Sequence, residues 1–546
     1  MNKTDQKNNN LAIKALDAVS AVFFVVITAA FPLYITRTHY GFITYDKADI
    51  FMTVTFAATI TIIGILFLTT NRFCVKDYFV VRELTRYLSV AEWALVVFLM
   101  FTLLSAVFSQ YQEIVWRGNQ IGRWESFRLI LCYVLTFFII ARWYKPRRVH
   151  FLIFAAGSML VSLYGIMQFM GHDILLSSGF FMAPEPSTPA YVELYSRFIR
   201  LFRTTLGNVN IVSAYGALAA VLFAGLFAGE NSKWGIIYVT ASALAFSLLF
   251  IAGLGQDGAR LGLIGAMGFA IPYWVADHRR LGKILITLAS WSAVFAVYSH
   301  YLTLVQIQAE TELSPFWGDR NFISNFVPRN PGLFLGLAAL LALLGLVLIL
   351  FVKVWPQRPM KIAGVVLLIT VLLGGLVLVE VEGARREGQP NNIIWQAREM
   401  MHGRVDDHFG SGRGFVWLRS LPVIMDNPVL GTGPGTFLLA MGEEFQQESM
   451  ERFRVVYDTA HNTYLQIAVN LGLPALAAYL TFLAGIFLPA IKKAYDSPIL
   501  LAFGAASLSC LILGFFQVDT PIDRPLLWVC LGVMSGELWR LRIGVS

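Results

Sequence analysis

Charged residues are scarce in this chain of 546 residues, since Asp, Glu, Lys and Arg together make up only 14%. A soluble globular protein carries about 25% charged residues, so the composition argues against a soluble domain. Hydrophobic residues make up 57%, and apolar runs of about 20 residues, long enough to span a bilayer, recur along the sequence. The chain is therefore predicted to be an all-α polytopic membrane protein.

The basic residues outnumber the acidic ones and give a net charge of +8. They are dispersed between apolar runs rather than gathered in a basic domain, so nucleic acid is not an expected partner.

Cysteine is also rare. The cysteines show no CxxC spacing, which argues against a metal cluster and a disulfide framework. The four cysteines are Cys74, Cys132, Cys510 and Cys530.

Hydropathy predicts about fourteen transmembrane helices. Basic residues collect in alternate short loops, which the positive-inside rule places in the cytoplasm together with both chain termini. The apolar run near the N-terminus is longer than a signal-peptide core and is predicted to be the first retained helix. Three long segments then face the other side of the membrane: residues 170–208, 303–331 and 381–460.

The topology divides the chain into four parts. The segment between predicted helices 11 and 12 combines charge with apolar stretches, so we expect a partly helical extracytoplasmic loop rather than disorder. No internal repeat of the kind that marks inverted-repeat transporters is visible in the sequence. The four parts are N-terminal membrane helices (1–200), central membrane helices (201–380), the extracytoplasmic loop (381–460) and C-terminal membrane helices (461–546).

The densest motif of this loop is "GSGRGFVWLRSLPVIMDNPVLGTGPGTF", residues 410–437. Ser411 is predicted to cap a helix that starts near Arg413, with Trp417 on its apolar face, and Asn427 before a proline is predicted to end it. The following "GTGPG" loop, centred on Gly433, would let a ligand approach backbone N–H groups. Arg413 at a helix N-terminus suits an anion; the alternative is a surface arginine.

A second motif, "YDTAHNTYLQIAVNLG", opens the next apolar run. Asp458 or Thr459 is predicted to cap a helix that begins near His461. The helix dipole would disfavour the cationic form of His461, and a neutral imidazole can accept a proton from a hydroxyl. Asn462 begins a polar stripe with Gln466 and Asn470, for which interhelical hydrogen bonding is the simpler interpretation.

Further arginines are predicted on the same outer side of the membrane. Arg260 lies in "DGARLG" at the start of an apolar helix, where snorkelling to the surface is the alternative to a buried anion partner. Arg203 precedes Asn208 and Asn210 in "FRTTLGNVN". The arginine guanidinium binds phosphate oxygens with two parallel hydrogen bonds, so a cluster of arginines without a nearby carboxylate pair suits a diphosphate.

One carboxylate pair could suggest a metal instead. Asp406 and Asp407 are adjacent in the loop, but a single such pair is typical of a solvated turn. We therefore expect no metal site and no cofactor.

The order of these motifs resembles that of the O-antigen ligase family, whose superfamily also holds O-antigen polymerases and bacterial O-linking oligosaccharyltransferases. The resemblance is carried by "GRGFVWLRSLPVIMDNPVLGTGPGTF" and "HNTYLQIAVNLG", supported by "TLGNVN" and "DGARLG", from about residue 200 onward. It implies a metal-independent membrane glycosyltransferase of the GT-C type, in the bacterial cytoplasmic (inner) membrane. Its active site would be extracytoplasmic, and its donor a glycan on undecaprenyl diphosphate.

The resemblance also implies roles for individual residues. His461 matches the essential histidine of the family, and Arg413 and Arg260 match its diphosphate-contacting arginines. The expected partners are the lipid-linked glycan, membrane lipids, and an acceptor that is a lipid, a glycan or a protein. The residues expected to bind substrate are Arg203, Asn208, Asn210, Trp417, Arg419, Gly433, Asn462 and Tyr464.

Several functions stay open at this point. Within the superfamily, a ligase, a polymerase and a protein O-oligosaccharyltransferase differ in their acceptor, which these motifs do not specify. A transporter of polyprenyl-linked glycans is the alternative from another class, and it predicts polar residues through several spans. A sensor in which the loop 381–460 binds a wall polymer is a third hypothesis.

Overall fold

The computed structural model describes residues 3–37, 42–69, 88–121, 123–170, 172–178, 180, 203–251, 257–312, 330–389 and 392–543. Within these ranges the chain is helical and contains no strand, which confirms the all-α prediction. The predicted basic loop at 70–87 with Cys74, and the parts 181–202 and 313–329 of two predicted outward segments, lie outside the described residues.

Ten α-helices of six or more residues lie between residues 3 and 312 of the described chain. In chain order they are α1 (Lys3–Val25), α2 (Ile43–Thr69), α3 (Val90–Phe108), α4 (Gln112–Arg117), α5 (Phe127–Trp143), α6 (Arg148–Phe169), α7 (Val209–Gly229), α8 (Gly235–Ile251), α9 (Asp257–Val275) and α10 (His278–Glu312).

The chain continues with two peripheral helices, the segment 381–460 and the C-terminal helices. These are α11 (Pro331–Leu350), α12 (Gln357–Arg385), α13 (Ile393–Met401), α14 (Phe409–Asp426), α15 (Phe437–Phe453), α16 (Thr463–Leu471), α17 (Leu473–Lys493), α18 (Pro498–Leu513) and α19 (Arg524–Ile543).

Nine of the helices in the described ranges are long and apolar enough to cross a membrane, and two shorter apolar helices accompany them. Each of the fourteen predicted spans coincides with at least one helix. The polytopic character is thus confirmed, whereas the count of fourteen stays a prediction, as does the four-part division.

The predicted twelfth span, residues 461–489, is wrong as a single helix. It is divided into α16 and α17 at Gly472, which has φ +85°. A Cβ at this position would lie 2.3 Å from the carbonyl oxygen of Val429, so only glycine lets the preceding segment pack into the break.

Helices α5, α17 and α19 pack through aromatic rings. The Trp528 ring stacks with Phe482 at 5.5 Å and with Tyr133 at 6.0 Å between centroids. Small residues bring other backbones together, since Gly225 of α7 abuts Ala502 of α18. In contrast, only 6% of the apolar stretch of α11, and of α12, is buried, so these two helices lie at the edge of the bundle.

The segment 381–460 packs around a small core of its own. This core is continuous with the first turns of α16, so the segment and the bundle share a boundary. Its buried members are Phe415, Val416, Ile424, Phe437, Phe445, Tyr457, Ala460, Ala468 and Val469.

Candidate active site

His461 lies immediately before α16, in a left-handed backbone conformation with φ +47°. The helix begins at Thr463 and is capped by Asn462, whose side-chain oxygen accepts two backbone N–H groups at 2.9 and 3.1 Å. The prediction that Asp458 or Thr459 caps this helix is therefore wrong, because the helix starts later and Asn462 occupies the cap position.

The backbone next to His461 is held from two sides. Trp417 donates its indole N–H to the carbonyl of Ala460 at 3.0 Å, and the N–H of Ala460 donates to the side-chain oxygen of Gln466 at 2.9 Å. The ring of Tyr457 meets the imidazole at 90°, with centroids 5.8 Å apart. Trp417 thus helps to position His461, and its contact with substrate stays a prediction.

Sequence reasoning missed an arginine, Arg123, which reaches the site from the loop before α5. It forms a bidentate ion pair with Asp458, with Nε–Oδ2 at 2.8 Å and Nη2–Oδ1 at 2.7 Å. Its charge acts on His461. The one signal in the sequence is the short polar stretch "GRWES" directly before an apolar run.

The same loop supplies the partner of the predicted polar stripe. The carboxylate of Glu125 accepts hydrogen bonds from the amides of Gln466 at 3.2 Å and Asn470 at 3.3 Å. Burial raises the pKa of this carboxyl, and the two amides act in the opposite direction. Gln466 and Asn470 are thus hydrogen-bonded, but the predicted interhelical bond is wrong for their side chains, because the partner lies in a loop rather than on a helix.

Burial lowers the pKa of His461 to about 3, and the positive charges of Arg123 and Arg413 act in the same direction. Asp458 acts in the opposite direction and has the smaller effect. The imidazole is therefore neutral at physiological pH and can accept a proton. This agrees with the predicted neutral histidine, but desolvation and neighbouring charges are the causes found in the structure.

Arg413 directly follows three residues with a left-handed backbone conformation. Gly410, Ser411 and Gly412 have φ +59°, +61° and +89°, so Ser411 does not cap the helix as predicted. The Ser411 carbonyl instead accepts the hydroxyl of Tyr457 at 2.8 Å. The helix ends at Asn427, as predicted.

Two carbonyl groups orient the guanidinium of Arg413. Its Nε donates to Phe516 O at 3.0 Å, and its Nη1 donates to Gly410 O at 2.5 Å. Since Phe516 follows α18, the C-terminal part of the chain sets the position of an arginine in the segment 381–460.

The loop 514–523 and the first residue of α19 also hold the start of α16. The N–H of Thr463 donates to Gly514 O at 2.7 Å, and Arg524 donates to the Thr463 hydroxyl at 2.8 Å. Tyr464 donates its hydroxyl to Leu511 O at 2.8 Å. Tyr464 therefore anchors α16 to α18, and its predicted contact with substrate stays a prediction.

Arg260 lies in the first turn of α9, which packs closely on the end of α18. A Cβ on Gly258 would lie 3.2 Å from the Cβ of Phe516, and a Cβ on Gly262 would lie 2.5 Å from Ser509 O. Arg260 thus belongs to the same end of the bundle as Arg413, with Phe516 as the residue that both segments approach.

Arg203 and its neighbours lie at the start of α7. The N–H groups of Arg203 and Thr204 donate to the side-chain oxygen of Gln168 in α6, and Arg203 is buried. Asn208 caps α7, and both Asn208 and Asn210 are exposed. The backbone of this segment is hydrogen-bonded to α6. The contacts around His461 are instead made by the loop before α5, by α14 and by the residues that follow α18.

Gly433 packs against the end of α3. Its φ is +121°, and a Cβ there would lie 2.5 Å from the hydroxyl of Ser109. Its N–H donates to Asn470 O at 2.8 Å. This N–H therefore joins the glycine loop to α16, and a ligand contact at Gly433 stays a prediction.

Arg419 is the centre of an ion-pair cluster in the segment 381–460. It donates to Asp407 at 3.0 Å and to Glu448 at 2.6 Å, and Arg452 pairs with the same two carboxylates. Its guanidinium also lies 3.9 Å from the centroid of the Phe415 ring. These contacts favour a structural role, in which Arg419 joins α14 to α15.

We expect Arg419→Met to loosen this segment without weakening donor binding. Loss of the charged hydrogen bonds should raise the rate of proteolytic cleavage within 381–460 by about tenfold, while the KM for the donor stays unchanged. Arg404→Met, at an exposed arginine of the same segment, is the control. An unchanged cleavage rate with a raised KM would assign Arg419 to substrate binding instead.

The Asp406–Asp407 pair does not stand alone. Asp407 is bound by Arg419 and Arg452, which lower the pKa of its carboxyl against the opposing effect of burial. Within the described part of the chain, no group of three His, Cys, Asp or Glu residues is placed to hold a metal ion.

The segment 381–460 lies within a match to a known protein family. The family model described as O-antigen ligase matches residues 335–480, which include most of α11, all of α12, the segment 381–460 and His461. No curated protein matches the chain. Over these residues the match confirms the resemblance to the O-antigen ligase family that the sequence motifs predict.

Proposed function

Because the chain carries an O-antigen ligase domain, we propose that it transfers a glycan from undecaprenyl diphosphate to an acceptor hydroxyl on the extracytoplasmic face of the bacterial cytoplasmic membrane. The observation that carries the proposal is the setting of His461, a neutral imidazole under the influence of Arg123 and Arg413. The proposed base, His461, and the two arginines that act on it thus come from distant parts of the chain.

The proposed step is a displacement at the anomeric carbon of the donor. The acceptor O–H loses its proton to His461, its oxygen forms the new bond to the anomeric carbon, and the bond to the diphosphate oxygen breaks. The electron pair of that bond leaves with the diphosphate. Arg413 stabilises the negative charge that develops there, with Arg260 as a second contact.

The low pKa of His461 describes the protein before its donor binds. A base with such a low pKa accepts protons weakly. An anionic diphosphate beside Arg413 would offset the positive charge that lowers the pKa, so donor binding raises the basicity of His461. The donor would thereby activate the base for its own transfer.

This mechanism predicts two different acid limbs in the pH profile. Protonation inactivates the base, and kcat/KM for the donor reports the free protein. Because the pKa of His461 in the free protein is about 3, kcat/KM should stay level as pH falls from 8 to below 5. The limb of kcat, which reports the complex, should lie at higher pH. Steady-state rates from pH 4 to 8 measure both, and coincident limbs near 6.5 would contradict the proposal.

The position of the basic loops supports the orientation. Arg142, Arg279, Lys492 and Arg542 all lie at the ends of helices away from His461. Under the positive-inside rule these ends face the cytoplasm, which puts both termini there and His461 on the extracytoplasmic side.

Transfer and transport are separated by one experiment with the purified full-length protein. The donor is undecaprenyl-diphosphate-linked glycan, the candidate acceptors are a lipid-linked core glycan, a second copy of the donor and a protein, and products are followed by mass spectrometry. A new glycosidic bond supports the proposal, and the acceptor that gains sugar distinguishes ligase, polymerase and protein O-oligosaccharyltransferase. Movement of donor between leaflets without bond formation would assign the protein to transport.

A further inference from the structure

A cavity of about 550 Å³ lies between the ends of α3, α5, α17 and α19. It is at the end of the bundle opposite His461. Helix α3 begins at this cavity and runs for 19 residues, about 28 Å, before it reaches Ser109 beside the glycine loop. The cavity is therefore separate from the proposed active site.

One buried ion pair forms part of its wall. Glu92 accepts the N–H and hydroxyl of Ser89, its helix cap, and pairs with Arg142 at 2.6 Å. The side chains of Glu92 and Arg142 are only 5% and 19% exposed. The carboxylate is thus satisfied within the wall and does not need a cation from the rim.

Two further cations line the cavity. Lys493 ends α17 and Arg542 lies near the end of α19, and both are exposed. With Arg142 they place three positive charges against the single carboxylate of Glu92, a net charge of +2. The lining is therefore complementary to an anion.

The other wall of the cavity is apolar. It includes Leu538, Trp539 and Leu541 of α19. Tryptophan beside basic residues at the end of a membrane-spanning helix is typical of the lipid–water interface. A free inorganic anion would use the cations alone, whereas a ligand with an acyl chain would use both walls.

We propose that this cavity binds an anionic phospholipid of the leaflet at this end of the bundle. Lys493 and Arg542 hold the phosphate oxygens of its headgroup, and Leu538 and Trp539 contact the first part of an acyl chain. Basic pockets between membrane helices bind such headgroups on the cytoplasmic side. The proposal does not depend on the function proposed for the His461 end.

The test uses purified full-length protein in detergent, with lipid binding followed by native mass spectrometry and thermal unfolding. Phosphatidylglycerol is compared with phosphatidylcholine, diacylglycerol and inorganic phosphate. We expect phosphatidylglycerol adducts to persist longest and to raise the unfolding temperature most. Equal effects of phosphatidylcholine, or full reproduction by inorganic phosphate, would overturn the proposal.

Paired variants locate the site. Lys493→Gln with Arg542→Gln should weaken phosphatidylglycerol binding by about 30-fold, from about fivefold for each basic residue near an anionic lipid. The control is Lys492→Gln with Arg279→Gln, because these exposed basic residues lie at the same end outside the cavity. Size-exclusion chromatography and circular dichroism check that both variants fold. Equal affinities of the two variants would also overturn the proposal.

Discussion

Replacement of His461 by alanine is expected to lower glycan transfer by about 10²–10⁴-fold, the usual contribution of a positioned general base. Donor binding should change little, because the arginines proposed to hold the diphosphate stay in place. The measurement is single-turnover transfer with the purified variant, alongside the donor dissociation constant. His461→Gln, which keeps a polar side chain of similar size but cannot act as a base, should be as inactive as the alanine variant.

A matched control separates this effect from general damage. His402 lies in the neighbouring segment 381–460, is 40% exposed and pairs with Glu380 at 2.9 Å. His402→Ala should transfer glycan at the wild-type rate. If His461→Ala also retained wild-type turnover, the role of this residue as base would be excluded, whatever the fate of the arginines.

Conversion of Arg413 to lysine is expected to lower kcat by about 10²–10³-fold, comparable to the loss of one donor to a developing oxyanion. Lysine keeps the positive charge but lacks the planar fork that binds two phosphate oxygens. It also cannot reproduce the paired contacts with Phe516 O and Gly410 O that orient the guanidinium. Since lysine keeps the charge, the loss of kcat measures the contribution of the guanidinium geometry.

The distribution of the loss between constants identifies the role. We expect kcat to fall more than the affinity for the donor, because the charge on the leaving diphosphate grows in the transition state. Arg404→Lys provides the control, since this arginine is 63% exposed and makes only a 3.8 Å contact with Glu399. A raised KM with unchanged kcat would mean that Arg413 binds the ground state and the transition state equally.

The hydropathy of the sequence was sufficient to predict the helices but not where each of them breaks. The apolar run that contains α16 and α17 is continuous, so its length suggested one span. The break at Gly472 depends on Val429, whose carbonyl packs against the glycine. Such a contact between two segments has no counterpart in the local pattern, and the same applies to the cap of α16.

The candidate site was predicted in part. His461 and Arg413 were found because their motifs are local, and the structure brings them within electrostatic range of each other. Arg123 was missed because its partner, Asp458, is 335 positions away in the chain. Spacing along the sequence carries no information on such a pair, and only the polarity of "GRWES" before an apolar run distinguished its loop.

The dependence of Arg413 on Phe516, and of Thr463 on Gly514 and Arg524, has a consequence for biosynthesis. Most of the polypeptide is translated before these residues emerge from the ribosome, and α19 must enter the bilayer before Arg524 can reach Thr463. A nascent chain would therefore lack an assembled centre until α19 is inserted.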